Sequence, residues 1–440
     1  MSNLSGFVKR LRDIMRNDAG INGDAQRIEQ IAWMLFLKVY DAKEQDWDMN
    51  EENYESIIPE ECRWCNWAVD NRDGNAMTGD TLLEFVNNTL FPVLKGKNIL
   101  NPDGSVKIQG VTVTPNTPVK KSIVRTAFED ANQYMKDGVL LRQIINIIDE
   151  LDLSDYEESH AFGDIYESIL KELQSAGSAG EFYTPRAVTE IMTEIINPRL
   201  GEKVLDPACG TGHFFGLLPD YLRGNVTLHG IEIDKISGEI AQMLYPNANI
   251  KVQGFENTKI PDNYLDVIVG NVPFGDFTVF DTAYNKHRLM IHDYFFVKSL
   301  DKVRPGGIVA FITSTGTMDK HNPRAREMLA EKADLLGAIR LPNNTFKAAA
   351  GTDVSSDIIF LQKRTSTELL HEYPDWCYTV KYDNEREINS YFSAHPEMIC
   401  GKLELKSSRF GGMDVVCVPN KGVSLSDELN RAIQYIQGSY

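Results

Sequence analysis

Seven short apolar runs rich in β-branched residues lie between residues 203 and 362, and they constrain the fold more than any other feature. Helical patterns such as 235–244 and 292–303 separate several of these runs. Strands that alternate with helices are typical of a mostly parallel sheet joined by right-handed crossovers. The predicted strands are 203–206, 227–233, 249–253, 265–270, 307–313, 335–341 and 357–362. The sequence therefore predicts an α/β domain built around one sheet.

The first 150 residues follow a different pattern, in which apolar residues recur at three- and four-residue spacing. The predicted helices are 21–43, 80–93, 123–134 and 139–151. Asp24 and Asp80 are the expected N-caps of two of them. Between these helices, 98–118 is rich in Gly, Pro, Asn and Thr and predicts a loop or small hairpin. We expect an all-helical domain that carries no catalytic residues.

A stretch of small residues, Gln174-Ser-Ala-Gly-Ser-Ala-Gly180, separates the two patterns and is typical of a flexible connector. We predict a helical domain over 1–155, a helix and the connector over 156–180, and a catalytic domain over 181–370. The C-terminal tail, 371–440, has a mixed pattern from which no fold can be predicted.

Charge and cysteine content narrow the class of protein. Carboxylates outnumber Lys plus Arg by 63 to 45, and the net charge of −18 argues against a chain that holds DNA unaided. The chain contains no long apolar run and no signal-peptide pattern, so we expect a cytoplasmic protein without a membrane segment. The single Cys-x-x-Cys pair, Cys62 and Cys65, lacks the second pair of a structural zinc site, and we expect no metal.

The first chemical motif, Asp206-Pro-Ala-Cys-Gly-Thr-Gly-His213, follows a predicted strand and opens a helix, where open α/β sheets bind ligands. Gly210 and Gly212 let the backbone approach a ligand closely, because they have no side chain. Glu232 ends the next predicted strand, where an acidic residue accepts ribose hydroxyls. The motif lacks the third glycine of the dinucleotide fingerprint. Together these residues predict nucleoside binding and leave NAD and S-adenosylmethionine both open.

The second motif, Asn271-Val-Pro-Phe274, follows the fourth predicted strand and favours methyl transfer. The carboxamide oxygen of Asn271 and the carbonyl of Val272 can each accept one N–H of an exocyclic amino group. Pro273 stiffens the turn, and Phe274 offers a ring on which a flipped base stacks. An Asn-x-Pro sequence by itself is a common turn. Its place beside the glycine loop favours a receptor for a base over a plain turn.

With Glu181-Phe-Tyr-Thr-Pro-Arg186, these motifs resemble those of amino-group DNA methyltransferases of the gamma motif order. Within that class the chain resembles the modification (M) subunit of type I restriction-modification systems from about residue 5 to residue 365. Ile31-Ala-Trp-Met-Leu-Phe-Leu-Lys38 and Leu341-Pro-Asn-Asn-Thr-Phe346 are further points of similarity. From about residue 205 onward the chain also resembles methylase modules of mobile-element helicase–methylase proteins.

The resemblance implies a Rossmann-like S-adenosylmethionine-dependent methyltransferase fold, with a seven-stranded, mostly parallel sheet after an all-helical domain. It implies methyl transfer from S-adenosylmethionine to adenine N6 at specific DNA sites. It also implies a separate specificity (S) subunit as the main contact with DNA, with a restriction (R) subunit as a further candidate partner.

The resemblance also gives roles to individual residues. It assigns Glu181, Phe182, Tyr183, Thr184, Pro185 and Arg186 to a lid over the cofactor, Asp206, Gly210, Thr211, Gly212 and His213 to the cofactor loop, Glu232 to the ribose, and Asn271, Val272, Pro273 and Phe274 to the target adenine. Phe255 or Asn257 would touch the cofactor adenine. Two positions depart from the family pattern: Val272 replaces a usual proline, and His213 replaces a small residue.

Several alternatives stay open. Cytosine N4 presents the same two N–H donors as adenine N6, although the resemblance favours adenine. A self-sufficient or mobile-element DNA methylase, a cofactor-binding scaffold without activity, and a methyltransferase for protein or RNA are alternative functions. An NAD-dependent oxidoreductase is disfavoured by residues 271–274. A cytosine C5 enzyme is also disfavoured, because Cys209 lies in the cofactor loop and not after the fourth strand.

Overall fold

The computed structural model describes residues 4–70, 74–151, 184–218, 222, 224–245, 247–273, 275–346, 355–366, 368, 370–383, 386–407 and 413–436. The chain divides into two compact units. The first unit is Met1–Gly177 together with Glu239–Pro246, and the second is Ser178–Gly238 together with Asn247–Tyr440. None of the helices in these described ranges has the length and apolar character that crossing a membrane requires.

The first unit is built from helices and one small hairpin. Its helices are α1 (Leu4–Met15), α2 (Asp24–Asn50), α3 (Trp64–Trp67), α4 (Gly79–Phe85), α5 (Phe91–Leu94), α6 (Val119–Glu129) and α7 (Gly138–Asp149). The hairpin, β1 (Ile99–Leu100) with β2 (Val106–Ile108), lies in the segment predicted as a loop or hairpin. Helix α7 begins at an Asp137 cap, whose carboxylate accepts hydrogen bonds from the amides of Val139 and Leu140.

The two predicted caps were wrong. Gly23, with φ at 92°, is the residue that turns the chain into α2, and Asp24 is the first residue of that helix. Thr78 precedes α4, and Asp80 lies in the first turn of the helix, where an acidic residue is favourable. A glycine just before a helix start allows a turn that an aspartate cap would not adopt without strain.

The second unit contains the predicted sheet. Its strands are β3 (Lys203–Asp206), β4 (Thr227–Glu232), β5 (Asn249–Val252), β6 (Leu265–Asn271), β7 (Val303–Ser314), β8 (Ala333–Leu341) and β9 (Ser356–Lys363). They are arranged in the order β5-β4-β3-β6-β7-β9-β8, and only β9 runs antiparallel to its neighbours. All seven predicted strands are therefore present, and the α/β methyltransferase fold is confirmed.

Helices connect these strands. They are α8 (Arg186–Ile196), α9 (His213–Gly216), α10 (Lys235–Leu244), α11 (Ile291–Lys302), α12 (Gly316–Asp319) and α13 (Arg324–Ala330). Helix α11 is buried from Ile291 to Leu300, and it packs against β7. The helix predicted over 214–222 is shorter in the structure, where α9 ends at Gly216.

The C-terminal residues form part of the second unit. They contain β10 (Thr379–Lys381), β11 (Glu387–Asn389), α14 (Ser390–Ala394), β12 (Lys402–Ser407), β13 (Met413–Val418) and α15 (Leu425–Ala432). Phe392, Met398 and Leu429 belong to the same hydrophobic core as the sheet. Ile399 forms a parallel bridge with Arg340 of β8, and the amide of Cys400 donates to the Arg340 carbonyl at 2.9 Å. This segment therefore covers the edge of the sheet at β8.

Candidate active site

The predicted site residues converge on one edge of the sheet. Strands β3 and β6 lie side by side, and the strand order reverses between them. Asp206 ends β3, Glu232 ends β4 and Asn271 ends β6. Because ligands of open α/β sheets bind at the carboxyl ends of the strands beside such a reversal, this edge is the candidate site.

The loop after β3 has the shape of a cradle. Gly210 and Gly212 have φ values of 54° and 95°, which side chains other than glycine rarely adopt. The amide of Cys209 donates to the carbonyl of Ile231 at 3.0 Å, and this bond holds the loop against β4. Thr211 is buried, and its hydroxyl lies 3.5 Å from Nδ1 of His213.

Glu232 is bonded to the glycine loop. One carboxylate oxygen accepts from the amide of Gly210 at 2.8 Å, and the other accepts from the amide of Asp234 at 2.7 Å. A carboxylate has about four acceptor positions, so these two amides do not exhaust its capacity. Sequence reasoning assigned Glu232 to a ribose alone and missed its bond to the loop.

Asp206, at the end of β3, is buried beside β6, with 1% of its surface exposed. One carboxylate oxygen accepts from the amide of Ala208 at 3.0 Å. Burial, together with the nearby charge of Glu232, raises the pKa of Asp206 to about 8. A Cβ on Gly270 of β6 would lie 2.7 Å from this carboxylate, so glycine is required for the close approach. Asp206 therefore favours its neutral form near pH 7.

Asn271 is oriented by a residue from the predicted lid. Its side-chain Nδ2 donates to Oγ1 of Thr184 at 3.0 Å. With the amino end of the carboxamide turned to Thr184, the opposite end presents an acceptor oxygen. The next residue, Val272, is buried, and its amide donates to the Ile312 carbonyl of β7 at 3.2 Å. The structure thus fixes both the side chain of Asn271 and the backbone that follows it.

The other predicted residues divide into two groups. Glu181, Phe182, Tyr183, Phe274 and the helix and connector over 156–180 lie outside the described residues. Pro185 precedes α8 and Arg186 is its first residue, with Nε 2.6 Å from Oε1 of Glu190 on the helix surface. Pro273 is half-buried.

A buried ion pair stabilises the neighbourhood of this edge, and sequence reasoning missed it. Lys298 of α11 has 4% of its side chain exposed, and its Nζ lies 2.9 Å from Oδ2 of Asp281. The same ammonium donates to the Phe255 carbonyl at 2.8 Å, just after β5. Tyr294 also donates to Asp281, at 2.7 Å. The available signal was a lysine directly after the apolar run Tyr294-Phe-Phe-Val297, because a buried lysine requires partners.

Of the two residues expected beside the cofactor adenine, only one is open to a ligand. The Phe255 ring is buried and packs against Phe295, with ring centroids 5.1 Å apart. Asn257, two residues later, is exposed.

Cys209, in the loop after β3, is buried, and burial raises the pKa of its thiol well above the usual value. Among the residues that the structure describes, no group of three or more His, Cys, Asp or Glu side chains has an arrangement that could hold a metal ion.

Comparison with known proteins gives matches over both units. The family model described as N-6 DNA Methylase matches residues 157–388, and the HsdM N-terminal domain model matches residues 4–148. The type I restriction enzyme EcoEI methylase subunit of Escherichia coli is 37% identical over 402 residues, which cover 84% of this chain and 78% of that protein.

Two further similarities have different extents. The crystal structure of a modification subunit of a putative type I restriction enzyme from Vibrio vulnificus YJ016 has a TM-score of 0.65 at 25% identity, with 96% of each chain covered. The defense against restriction protein B of Escherichia phage P1 is 33% identical over 241 residues, which span 53% of this chain but 10% of that protein. The chain belongs to the N-6 DNA methylase family, and it is a type I modification subunit, an adenine-N6 DNA methyltransferase.

Proposed function

We propose that the edge formed by β3, β4 and β6 binds S-adenosylmethionine beside the target adenine, and that Asn271 and Val272 hold the adenine amino group. The observation that carries this proposal is the pair of side-chain bonds at the edge. Glu232 is bonded to the glycine loop at Gly210, and Asn271 is bonded to the lid residue Thr184. The bond between Glu232 and Gly210 holds the glycine loop where a nucleoside would bind. The bond between Asn271 and Thr184 leaves the carboxamide oxygen of Asn271 facing the adjacent space.

The residues at this edge fit S-adenosylmethionine, as membership of a family of S-adenosylmethionine-dependent methyltransferases implies. Gly210 and Gly212, both with positive φ and without side chains, support this proposal, because a ligand can approach their backbone closely. In the proposed complex Glu232 accepts ribose hydroxyls, and Asn257, which is exposed after β5, contacts the adenine of the cofactor. When bound, S-adenosylmethionine supplies an electrophilic methyl group on a sulfonium.

The catalytic work of this chain is to hold the amino group in the geometry of attack. The carboxamide oxygen of Asn271 and the carbonyl of Val272 each accept one N–H. Two accepted bonds favour a pyramidal nitrogen and turn its lone pair toward the methyl group. The nitrogen–methyl bond would form as the sulfur–methyl bond breaks, with that electron pair left on sulfur, and the nitrogen would release one of its protons to solvent. Because these bonds strengthen as the nitrogen becomes pyramidal, they act mainly in the transition state.

DNA recognition is assigned to a partner. The net charge of −18 opposes binding to a polyanion, and the curated relative from E. coli is by its name a subunit of a restriction enzyme. We propose a specificity subunit that selects the DNA site, and a restriction subunit as a further partner of the same complex.

Calorimetry and methyl transfer test these proposals separately. Titration of the purified chain with S-adenosylmethionine should show one site, and the specificity subunit should be needed for methylation at a defined sequence, mapped by modified-base sequencing. Cofactor binding without transfer in the complex would support the scaffold alternative. Efficient site-specific methylation by the chain alone would replace the multi-subunit assignment with a self-sufficient enzyme.

A further inference from the structure

The loop that follows the catalytic residues, residues 275–290, exposes two aromatic side chains. Phe277 is 52% exposed and Phe280 is 79% exposed. Phe280 is the most exposed of the large apolar side chains in the described part of the chain. Since large aromatic rings are favourably buried, two of them on one solvent-facing loop indicate a surface that meets a partner.

This loop has a fixed structure. At its base the amide of Ile291 donates to the Phe277 carbonyl at 2.9 Å, and Thr278 pairs with Met290 in an antiparallel bridge. In its middle Asp281 is fixed by the buried ion pair with Lys298. The exposed rings are therefore presented by a closed loop whose anchor is buried in the core.

Phe277 lies close to the catalytic residues. A Cβ on Gly275 would be 2.9 Å from Cε1 of the Phe277 ring, so the ring lies directly over the residue after Phe274. Phe277 is six residues after Asn271, which places the two at most about 20 Å apart.

Exposed cations lie on the same loop and at the start of α13. Lys286 and Arg288 are exposed on the same loop, and Arg324 is exposed at the start of α13. Burial lowers the pKa of His287, and the charges of Lys286 and Arg324 lower it further, so the two cations act on the same imidazole. None of these three cations makes an ion pair with any residue that the structure describes. In a chain of net charge −18, such a group indicates an anionic partner.

We infer that the loop 275–290 is the DNA-contacting surface of this chain, on which Phe277 and Phe280 stack against bases of the strand that carries the target adenine, while Lys286, Arg288 and Arg324 bind its phosphates. Exposed aromatic rings flanked by cations are the usual means of binding an unstacked strand. A target base that leaves the helix opens a gap in the stack, where the faces of the neighbouring bases become accessible to aromatic side chains. The inference rests on the proposed place of the target adenine at Asn271.

The aromatic contribution is tested with Phe280→Ala in the full chain. Binding of a fluorescently labelled single-stranded oligonucleotide of mixed sequence is followed by anisotropy at about 50 mM salt. Loss of one stacked base should weaken binding by about 5- to 150-fold. The salt dependence should be unchanged, because stacking releases no counterions. Gly275→Ala, which displaces the Phe277 ring, should weaken binding in the same way.

The charged contribution is tested with the double variant Lys286→Glu, Arg288→Glu. Loss of two phosphate contacts should reduce the slope of log affinity against log salt by about 1.4 for single-stranded DNA. The matched control is Lys406→Glu with Lys421→Glu, which changes the net charge equally at two exposed residues outside the loop. We expect the control to keep the slope of the parent chain.

Calorimetry with S-adenosylmethionine is run on every variant and should give the affinity of the parent chain. If the parent chain does not bind S-adenosylmethionine, the proposed function is contradicted. The oligonucleotide-binding results then still test the inference about the loop. The inference is overturned if the Phe280 and Lys286/Arg288 variants bind the oligonucleotide as tightly as the parent does. It is also overturned if the Lys406/Lys421 control loses as much affinity as the Lys286/Arg288 variant. Failure of the parent chain to bind the oligonucleotide at about 50 mM salt would overturn it as well. Loss of specificity-subunit binding in these variants, with DNA binding intact, would make the loop a protein interface instead.

Discussion

The side-chain amide of Asn271 donates to the hydroxyl of Thr184, which is 87 residues earlier in the chain. This bond connects the end of β6 to the segment that leads into α8, and it fixes which end of the Asn271 carboxamide is turned away from Thr184. The orientation of the proposed catalytic asparagine therefore depends on Thr184.

Thr184→Val should impair methyl transfer, because the valine side chain cannot accept the Asn271 hydrogen bond. The loss of one orienting hydrogen bond, about 1 to 1.5 kcal/mol, corresponds to roughly 5- to 13-fold in the single-turnover rate. Thr184→Ser keeps the hydroxyl and should retain most of the rate. Equal rates for the valine and serine variants would show that the bond does not orient Asn271.

Asn271→Ala should lower the methyl-transfer rate far more than the affinity for S-adenosylmethionine. By analogy with single oxyanion-hole groups, we expect a loss on the order of 10²–10³-fold in single-turnover methylation. A variant that transfers methyl groups at the parent rate would reduce residues 271–274 to a turn.

Val272→Pro separates the two backbone groups at this position. Proline keeps the carbonyl that is proposed to accept the amino group, but it removes the amide that donates to Ile312 at 3.2 Å. We expect a transfer rate within about tenfold of the parent and a loss of about 1 kcal/mol in the free energy of unfolding. A loss of rate as large as that of Asn271→Ala would contradict the assignment of the acceptor to the carbonyl.

Lys298→Met should destabilise the catalytic unit, because Asp281 would remain buried without its cation. Breaking a buried pair from one side typically costs about 3–5 kcal/mol. Lys302→Met on the same helix breaks a pair with Asp262, whose side chain is 67% exposed, and should cost about 0–1 kcal/mol. Urea denaturation of both variants gives the free energies of unfolding. Equal losses would show that the buried pair contributes no more to stability than the exposed pair.

Asp206 should make stability depend on pH. Its pKa is about 8 in the folded chain, while an unfolded aspartate titrates near 3.9. Between these values the folded state binds a proton that the unfolded state lacks, so the stabilising contribution is complete below about pH 4 and is lost as the pH rises toward 8. Asp206→Asn lacks this loss, so its stability relative to the parent should rise by about 1 kcal/mol per pH unit across that range. Urea denaturation at several pH values checks this, and a constant difference would show that Asp206 is ionised when folded.

The strands and helices that follow from short-range sequence patterns could be predicted from the sequence. The bounds of β3 and α10 agree with the prediction to the residue, because apolar periodicity records local structure. The helix caps could not be predicted, since a glycine with positive φ at Gly23 displaced the expected aspartate. The positions of Asp206, Glu232 and Asn271 at one edge followed from their places after successive strands.

The bonds between distant residues could not be predicted. Thr184 meets Asn271 because the fold brings the segment before α8 to the end of β6, and Asp281 meets Lys298 through the folding of the loop that joins β6 to α11. Local sequence patterns record neither contact. The same holds for the C-terminal segment, in which Ile399 bridges to β8 and α15 packs against α8.

The C-terminal segment that covers β8 matters for the design of truncated fragments of this protein. The match to the methylase family model ends at residue 388, whereas the bridge to β8 is made by Ile399 and the core continues to Leu429 and beyond. A fragment cut at the family boundary would keep every proposed active-site residue and leave the N–H and C=O groups at the rim of the sheet without cover. Bare strands of that kind pair with other copies of themselves. Insolubility, and not a missing catalytic group, would then explain why such a fragment fails.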